Sequence, residues 1–116
     1  MEVSISARHG SLNKDAQDYI EKKLPKLQHL FERLTSIKVT VNFQKNKPEV
    51  ELLVSAEHKH DFVARESDGV VTAAFDCALA KMEGQIRKYK EKIQAHHRKA
   101  PEPTKEPGPL STGGEG

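Results

Sequence analysis

The most suggestive chemistry in this chain sits in one short stretch. Lys81, Arg87, Lys88, Lys90, Lys92, Arg98 and Lys99 fall among only two acids, Glu83 and Glu91, so residues 81–99 carry a net charge of +5. On a helix, at about 100° per residue, Lys81, Lys88 and Lys92 lie within roughly 40° of one another, with Gln85 at the edge of the stripe. Arg87 and Lys90 point to other sides, which makes the segment basic nearly all round. Closely spaced cations of this kind neutralise phosphates and release the counterions condensed on a nucleic acid. Lys22, Lys23 and Lys26 form a second basic group. Lysines on an exposed helix also serve plain solubility. Yet only Glu83–Arg87 and Lys88–Glu91 are spaced to pair internally, at about 0.2–0.5 kcal/mol each. The surplus of charge therefore favours a polyanionic partner.

Other chemistries fare poorly. There is no Gly-x-Ser-x-Gly elbow and no Gly-x-x-x-x-Gly-Lys-Ser/Thr loop, so neither a hydrolase nor a nucleotide-cradling site is expected. His58 and His60 are two apart in a turn, and His96 and His97 are adjacent. Neither pair has a second cluster to complete a metal shell, so no metal and no cofactor is expected. These four read as surface histidines, the last two adding charge beside an RNA in mild acid. His9 suits a satisfied loop histidine or an RNA contact alike. Cys77 falls between the apolar and basic faces and reads as a small hydrophobe. The four phenylalanines, Phe31, Phe43, Phe62 and Phe75, sit at core positions of their elements. Base stacking is therefore expected to matter less than contact with phosphate and RNA shape.

The elements that must position these residues follow from periodicity. Val3, Ile5 and Ala7 alternate with polar residues as in a half-buried strand. Residues 13–34 show helical spacing through Ala16, Ile20, Leu24, Leu27 and Phe31, with Asn13 as N-cap and Asp15 in the first turn. Pro25 predicts a kink or break near residues 22–25, since a proline inside a helix costs about 3 kcal/mol. Residues 37–44 and 49–56 alternate strictly and read as a hairpin around Lys45-Asn46-Lys47-Pro48. A shorter strand spans 61–66. A long helix follows, capped by Ser67 or Asp68 and running to about residue 97, with an apolar stripe of Val71, Phe75, Ala78, Leu79, Met82, Ile86, Tyr89 and Ile93. The order is β-α-β-β-β-α. Its simplest solution is an α+β domain with a four-stranded, mostly antiparallel sheet and two helices on one face.

The bulk composition agrees. With 116 residues, 35% hydrophobic and 31% charged, the chain suits one soluble domain. Residues 1–98 should form it. Residues 99–116, rich in proline and glycine, cannot bury a core and read as a disordered tail. A single cysteine excludes an internal disulfide. The N-terminus has no basic region ahead of an apolar run, and no stretch is apolar enough to span a membrane, so a cytoplasmic location is expected.

Several stretches resemble one known family, the ribosome hibernation promoting factors, also called ribosome-associated inhibitor A or protein Y. They are Ile5-Ser6-Ala7-Arg8-His9, Asp18 through Leu27, Ala73-Ala74-Phe75-Asp76, and Lys81 through Lys92, which matches in both its apolar and its basic positions. The resemblance covers about residues 1–95. It implies a fold like that of double-stranded-RNA-binding domains. It also implies docking in the mRNA/tRNA channel of the small ribosomal subunit, with translation blocked sterically in idle ribosomes under stress or in stationary phase. Ribosomal RNA would be met by Arg8, His9, Lys22, Lys23, Lys26, Lys81, Gln85, Arg87, Lys88, Lys90 and Lys92. No membrane and no small-molecule substrate is implied, and the protein would be a monomer off the ribosome. Thr72 stands where the family usually has tyrosine, and Phe75 where it usually has isoleucine. The Pro/Gly tail replaces the second domain of the long forms. A general structured-RNA binder, or an adapter acting through the wet face of the sheet, shares parts of this pattern.

Overall fold

The computed structural model describes residues 1–44 and 46–98, with side chains placed through residue 93. The expected tail, His96, His97 and Lys45 of the first hairpin turn lie outside the described side chains. The elements run β1 (Glu2–Arg8), α1 (Lys14–Lys23), α2 (Pro25–Leu30), β2 (Leu34–Asn42), β3 (Glu49–Ala56), β4 (His60–Ser67) and α3 (Val71–Arg98). The strands lie in sequence order in one sheet. β2–β3 and β3–β4 are antiparallel, while β1 pairs with β2 in parallel, so the sheet is mixed. That parallel pair is what α1 and α2 are for, because two parallel neighbours need a crossover connection.

The expected break at proline is a division into two helices. Asn13 Oδ1 accepts from the Ala16 amide at 2.8 Å and starts α1. Leu24 keeps helical dihedrals at the junction, and Pro25 opens α2 at its first position, where its missing amide costs nothing. The helical segment stops at Leu30 rather than continuing to residue 34. Phe31 is extended (φ −148°, ψ 112°), and Leu34 already belongs to β2, paired with Ala56. Leu34 serves the sheet's apolar face, which its helical spacing in the sequence disguised. At the other end of β2, Phe43 lies past the strand, half-buried.

The start of α3 also differs from the expectation. Ser67 remains in β4. Asp68 Oδ1 accepts from the Val70 amide at 3.2 Å, and the first helical bond runs from the Ala74 amide to the Val70 carbonyl. Asp68 thus closes a turn just before the helix, and Val70 occupies the cap position.

The core is a single cluster between the sheet and the helices. Ile37, Val39 and Val41 of β2 and Val50, Leu52 and Val54 of β3 face it, with Ile20, Leu27, Phe75, Met82 and Ile86 covering them. Each such side chain, taken from water, contributes about 1.5–3 kcal/mol of transfer free energy. α3 packs on β3 and β4, and α1 and α2 lie beside it. β1 is an edge strand with a less complete cover, so Val3 is 48% exposed.

Candidate nucleic-acid interface

Alternation along β4 and the pitch of α3 set the two elements side by side in opposite directions. Lys81 pairs with Glu66, and Gln85 Nε2 donates to the Val63 carbonyl at 2.7 Å. One turn further, Tyr89 meets His60. The Val63 carbonyl belongs to the free edge of β4, and Gln85 satisfies it, which removes one unpaired group from an otherwise exposed strand edge. Lys88 and Lys92 continue this flank of α3. Both are exposed, and neither has an acidic partner among the described residues. The Lys88–Glu91 pair expected from spacing is not formed.

The opposite flank of α3 faces α2. Here Glu83 lies between two cations, 3.6 Å from Lys26 Nζ and 3.9 Å from Arg87. Its side chain is only 13% exposed, and the buried Oε2 has no hydrogen-bond partner among the described residues beyond the ion pair. Lys90 Nζ donates to the Leu30 carbonyl at 2.7 Å, closing the C-terminal end of α2. On α1, Lys23 lies 5.2 Å from the Tyr19 ring centroid, while Lys22 is exposed and has no ion pair among the described residues. The Tyr19 hydroxyl donates to Asp76 of α3 at 2.7 Å. That hydrogen bond, with some burial and the nearby negative charge, raises the Tyr19 pKa above its ordinary value.

The structure therefore sorts the expected residues into three sets. Lys22, Lys88 and Lys92 offer uncommitted charge. Lys23, Lys26, Lys81, Gln85, Arg87 and Lys90 are engaged within the fold, and a polyanion must share or displace their partners. Arg8 and His9 stand apart. Ala7 shares the helix side of β1 with Ile5, so Arg8 projects from the bare face of the sheet. The strand register also puts Arg8 level with Asn42, Glu49 and Ser67, at the end where α3 begins, whereas Lys88 and Lys92 flank the opposite end. Seven residue steps along β4, from Ser67 to His60, or about 23 Å, separate the two ends.

Sequence reasoning missed an aromatic cluster at the Lys88–Lys92 end. The His60 ring stacks on Tyr89, with centroids 4.1 Å apart and planes at 18°. Phe31 and Phe62 meet Tyr89 edge-on at 5.8 Å and 5.3 Å. The signal was present in part, since Tyr89 lies on the apolar stripe of α3. What put His60 against it is the offset of α3 along β4, which periodicity does not give. Among the described residues, no group of three or more histidine, cysteine or acidic side chains could hold a metal ion. No described helix is long and apolar enough to cross a membrane.

Fold and site together define a small α+β domain with a basic helical layer on one side of a mixed sheet. The sequence profile of the Sigma 54 modulation protein / S30EA ribosomal protein family matches residues 3–94, and the chain belongs to that family. It is 28% identical over 95 residues to a ribosome hibernation promoting factor of Pseudomonas putida, covering 82% of this chain and 92% of that one. It is 29% identical over 109 residues to a ribosome hibernation promoting factor of Azotobacter vinelandii, covering 94% of this chain and all of the other. The fold is similar to that of a ribosomal subunit interface protein from Coxiella burnetii, with a TM-score of 0.72 at 21% identity over 78% of this chain and 99% of that chain. It also resembles the N-terminal domain of Protein Y from Thermus thermophilus, with a TM-score of 0.67 at 24% identity over 77% and 99% of the two chains.

Proposed function

We propose that this protein is a ribosome hibernation factor. It binds the small ribosomal subunit in the mRNA/tRNA channel and blocks translation in idle ribosomes. It acts in the cytoplasm by occlusion rather than catalysis, and it is a monomer when off the ribosome. Membership of the family and the names of the curated relatives support the hibernation role. The observation that carries the RNA contact is the charge of Lys88 and Lys92, exposed and without an ion pair among the described residues, on a helix that also carries Lys81 on the same flank and Arg87 on the other. Such a surface recognises phosphate and RNA shape, and its affinity falls steeply with salt.

Co-sedimentation with small subunits across a salt series tests this reading, with wild type beside Lys81→Glu/Lys88→Glu/Lys92→Glu. Salt-sensitive binding by wild type, lost in the triple variant, is the expected result. Equal affinity for unrelated duplex RNA would instead make the protein a general structured-RNA binder. No binding by wild type would remove the ribosomal reading.

A further inference from the structure

The hairpin turn between β3 and β4 is built in a costly way. His58 and Lys59 have φ of 68° and 58°, two consecutive left-handed residues where glycine or asparagine is the usual choice. Their geometry turns the chain so that His60, first residue of β4, lays its ring flat against Tyr89. Tyr89 cannot yield, because Phe31 and Phe62 hold it edge-on from the core side. His60 is nevertheless exposed. One face of its ring is on Tyr89 and Phe62 meets it edge-on at 4.7 Å, so the exposed surface that remains includes the opposite face. A rigid π surface is thus offered outward. Lys88 directly precedes Tyr89 on α3 and Lys92 lies one helical turn after it, both exposed and without an ion pair among the described residues. Lys59 adds a third cation from the turn itself. Of the nearby acids, Glu57 is exposed in the turn, and Asp61 points to the bare side of the sheet by strand alternation.

A stacked ring beside uncommitted lysines is what an unpaired nucleotide needs: a π surface for its base and cations for its flanking phosphates. We propose that the His60–Tyr89 stack is a platform for one unpaired RNA base, which lies on the outer face of the His60 ring while Lys88 and Lys92 hold the adjoining phosphates. This rests on the RNA-binding reading above and assigns to the β3–β4 turn a contact that the basic helix alone does not make.

The platform and the lysines leave different signatures, so one experiment separates them. Binding of the full chain to purified small subunits is measured across a salt series for wild type, His60→Ala, His60→Phe and Lys88→Ala/Lys92→Ala. Stacking is insensitive to salt, so His60→Ala should weaken binding about ten-fold with an unchanged salt slope. His60→Phe keeps a π surface and should bind within about three-fold of wild type. The double lysine variant should bind more weakly with a slope shallower by about two. Should alanine unfold the hairpin, as a thermal melt would show, His60→Leu takes its place. It covers Tyr89 but offers no π face, and it must lose affinity as alanine does. Equal losses for His60→Ala and His60→Phe would overturn stacking in favour of a polar imidazole contact. Full binding by His60→Ala with loss in the lysine variant would overturn the platform and leave the RNA-binding reading standing. If wild type itself does not bind, that reading falls, and the platform falls with it.

Discussion

Gly10 shows how much a single position decides. A Cβ there would sit 2.7 Å from Phe43 Cδ2 and 2.9 Å from Phe43 Cβ. The second atom cannot swing away as a side-chain tip could, because it is fixed to the backbone, and the Phe43 amide is itself bonded to the Arg8 carbonyl at 2.9 Å. Gly10→Ala should therefore destabilise the fold by about 1–3 kcal/mol, as overpacking does, and denaturant unfolding would measure it. Glu83 is decisive in a different way. It is the carboxylate shared by Lys26 and Arg87. Replacing it with glutamine frees two cations that the fold now balances. Glu83→Gln should tighten binding to small subunits at low salt and steepen the salt dependence by about one counterion. A flatter dependence would mean that Lys26 and Arg87 do not face the RNA. Residue types made the basic constellation legible at this scale. They did not show which cations the fold keeps for itself, because Glu66 and the Leu30 carbonyl come from elements distant in sequence.

Between elements, the hydrogen bond from Tyr19 on α1 to Asp76 on α3 ties the two helices across the sheet. Because this bond raises the Tyr19 pKa, the fold favours the neutral phenol. The resulting stability is fully present below the ordinary tyrosine pKa of 10.0 and is lost as pH rises through the higher folded value. Near-ultraviolet titration should show Tyr19, assigned by its loss in Tyr19→Phe, ionising at higher pH than a free tyrosine. Asp76→Ala should bring it back toward the ordinary range, since the hydrogen bond that is its first cause is then gone. Element types and order were readable from periodicity: strict alternation gave β2 and β3, and the apolar stripe gave α3. Boundaries failed where local pattern pointed the wrong way. Leu34 fits the helical spacing from Leu27, and its three-residue step to Ile37 breaks strand alternation; an irregularity between Leu34 and Ser36 brings it to the buried face, and pairing with Ala56 places it in β2. The parallel β1–β2 pairing was equally invisible, since alternation marks which face a strand buries but not the direction of its neighbour.

At the scale of the whole molecule, the sheet divides two unlike surfaces. The helical side carries Lys22, Lys88 and Lys92, which have no ion pair among the described residues. The bare side carries Glu2, Lys38, Glu51, Asp61 and Arg65, with Arg65 paired to Glu51 at 2.9 Å, and so mixes both signs. A molecule recognised through its overall charge would feel a charge reversal on either side alike. A molecule that docks by its helical side would feel it on that side only, because exposed charges separated by more than a Debye length, about 8 Å at physiological salt, are largely screened from each other. Lys38 makes the control. It is exposed at the middle of β2 on the bare face and has no ion pair among the described residues. Lys38→Glu and Lys92→Glu alter net charge identically. Lys92→Glu should weaken co-sedimentation with small subunits about ten-fold or more at moderate salt, each lost phosphate contact being replaced by repulsion. Lys38→Glu should leave binding within about two-fold of wild type. Equal losses would mean that charge without orientation brings the protein to RNA. A loss confined to Lys38→Glu would turn the molecule over and make the open sheet face, with its exposed Val63 beside Leu53, the surface that meets the partner.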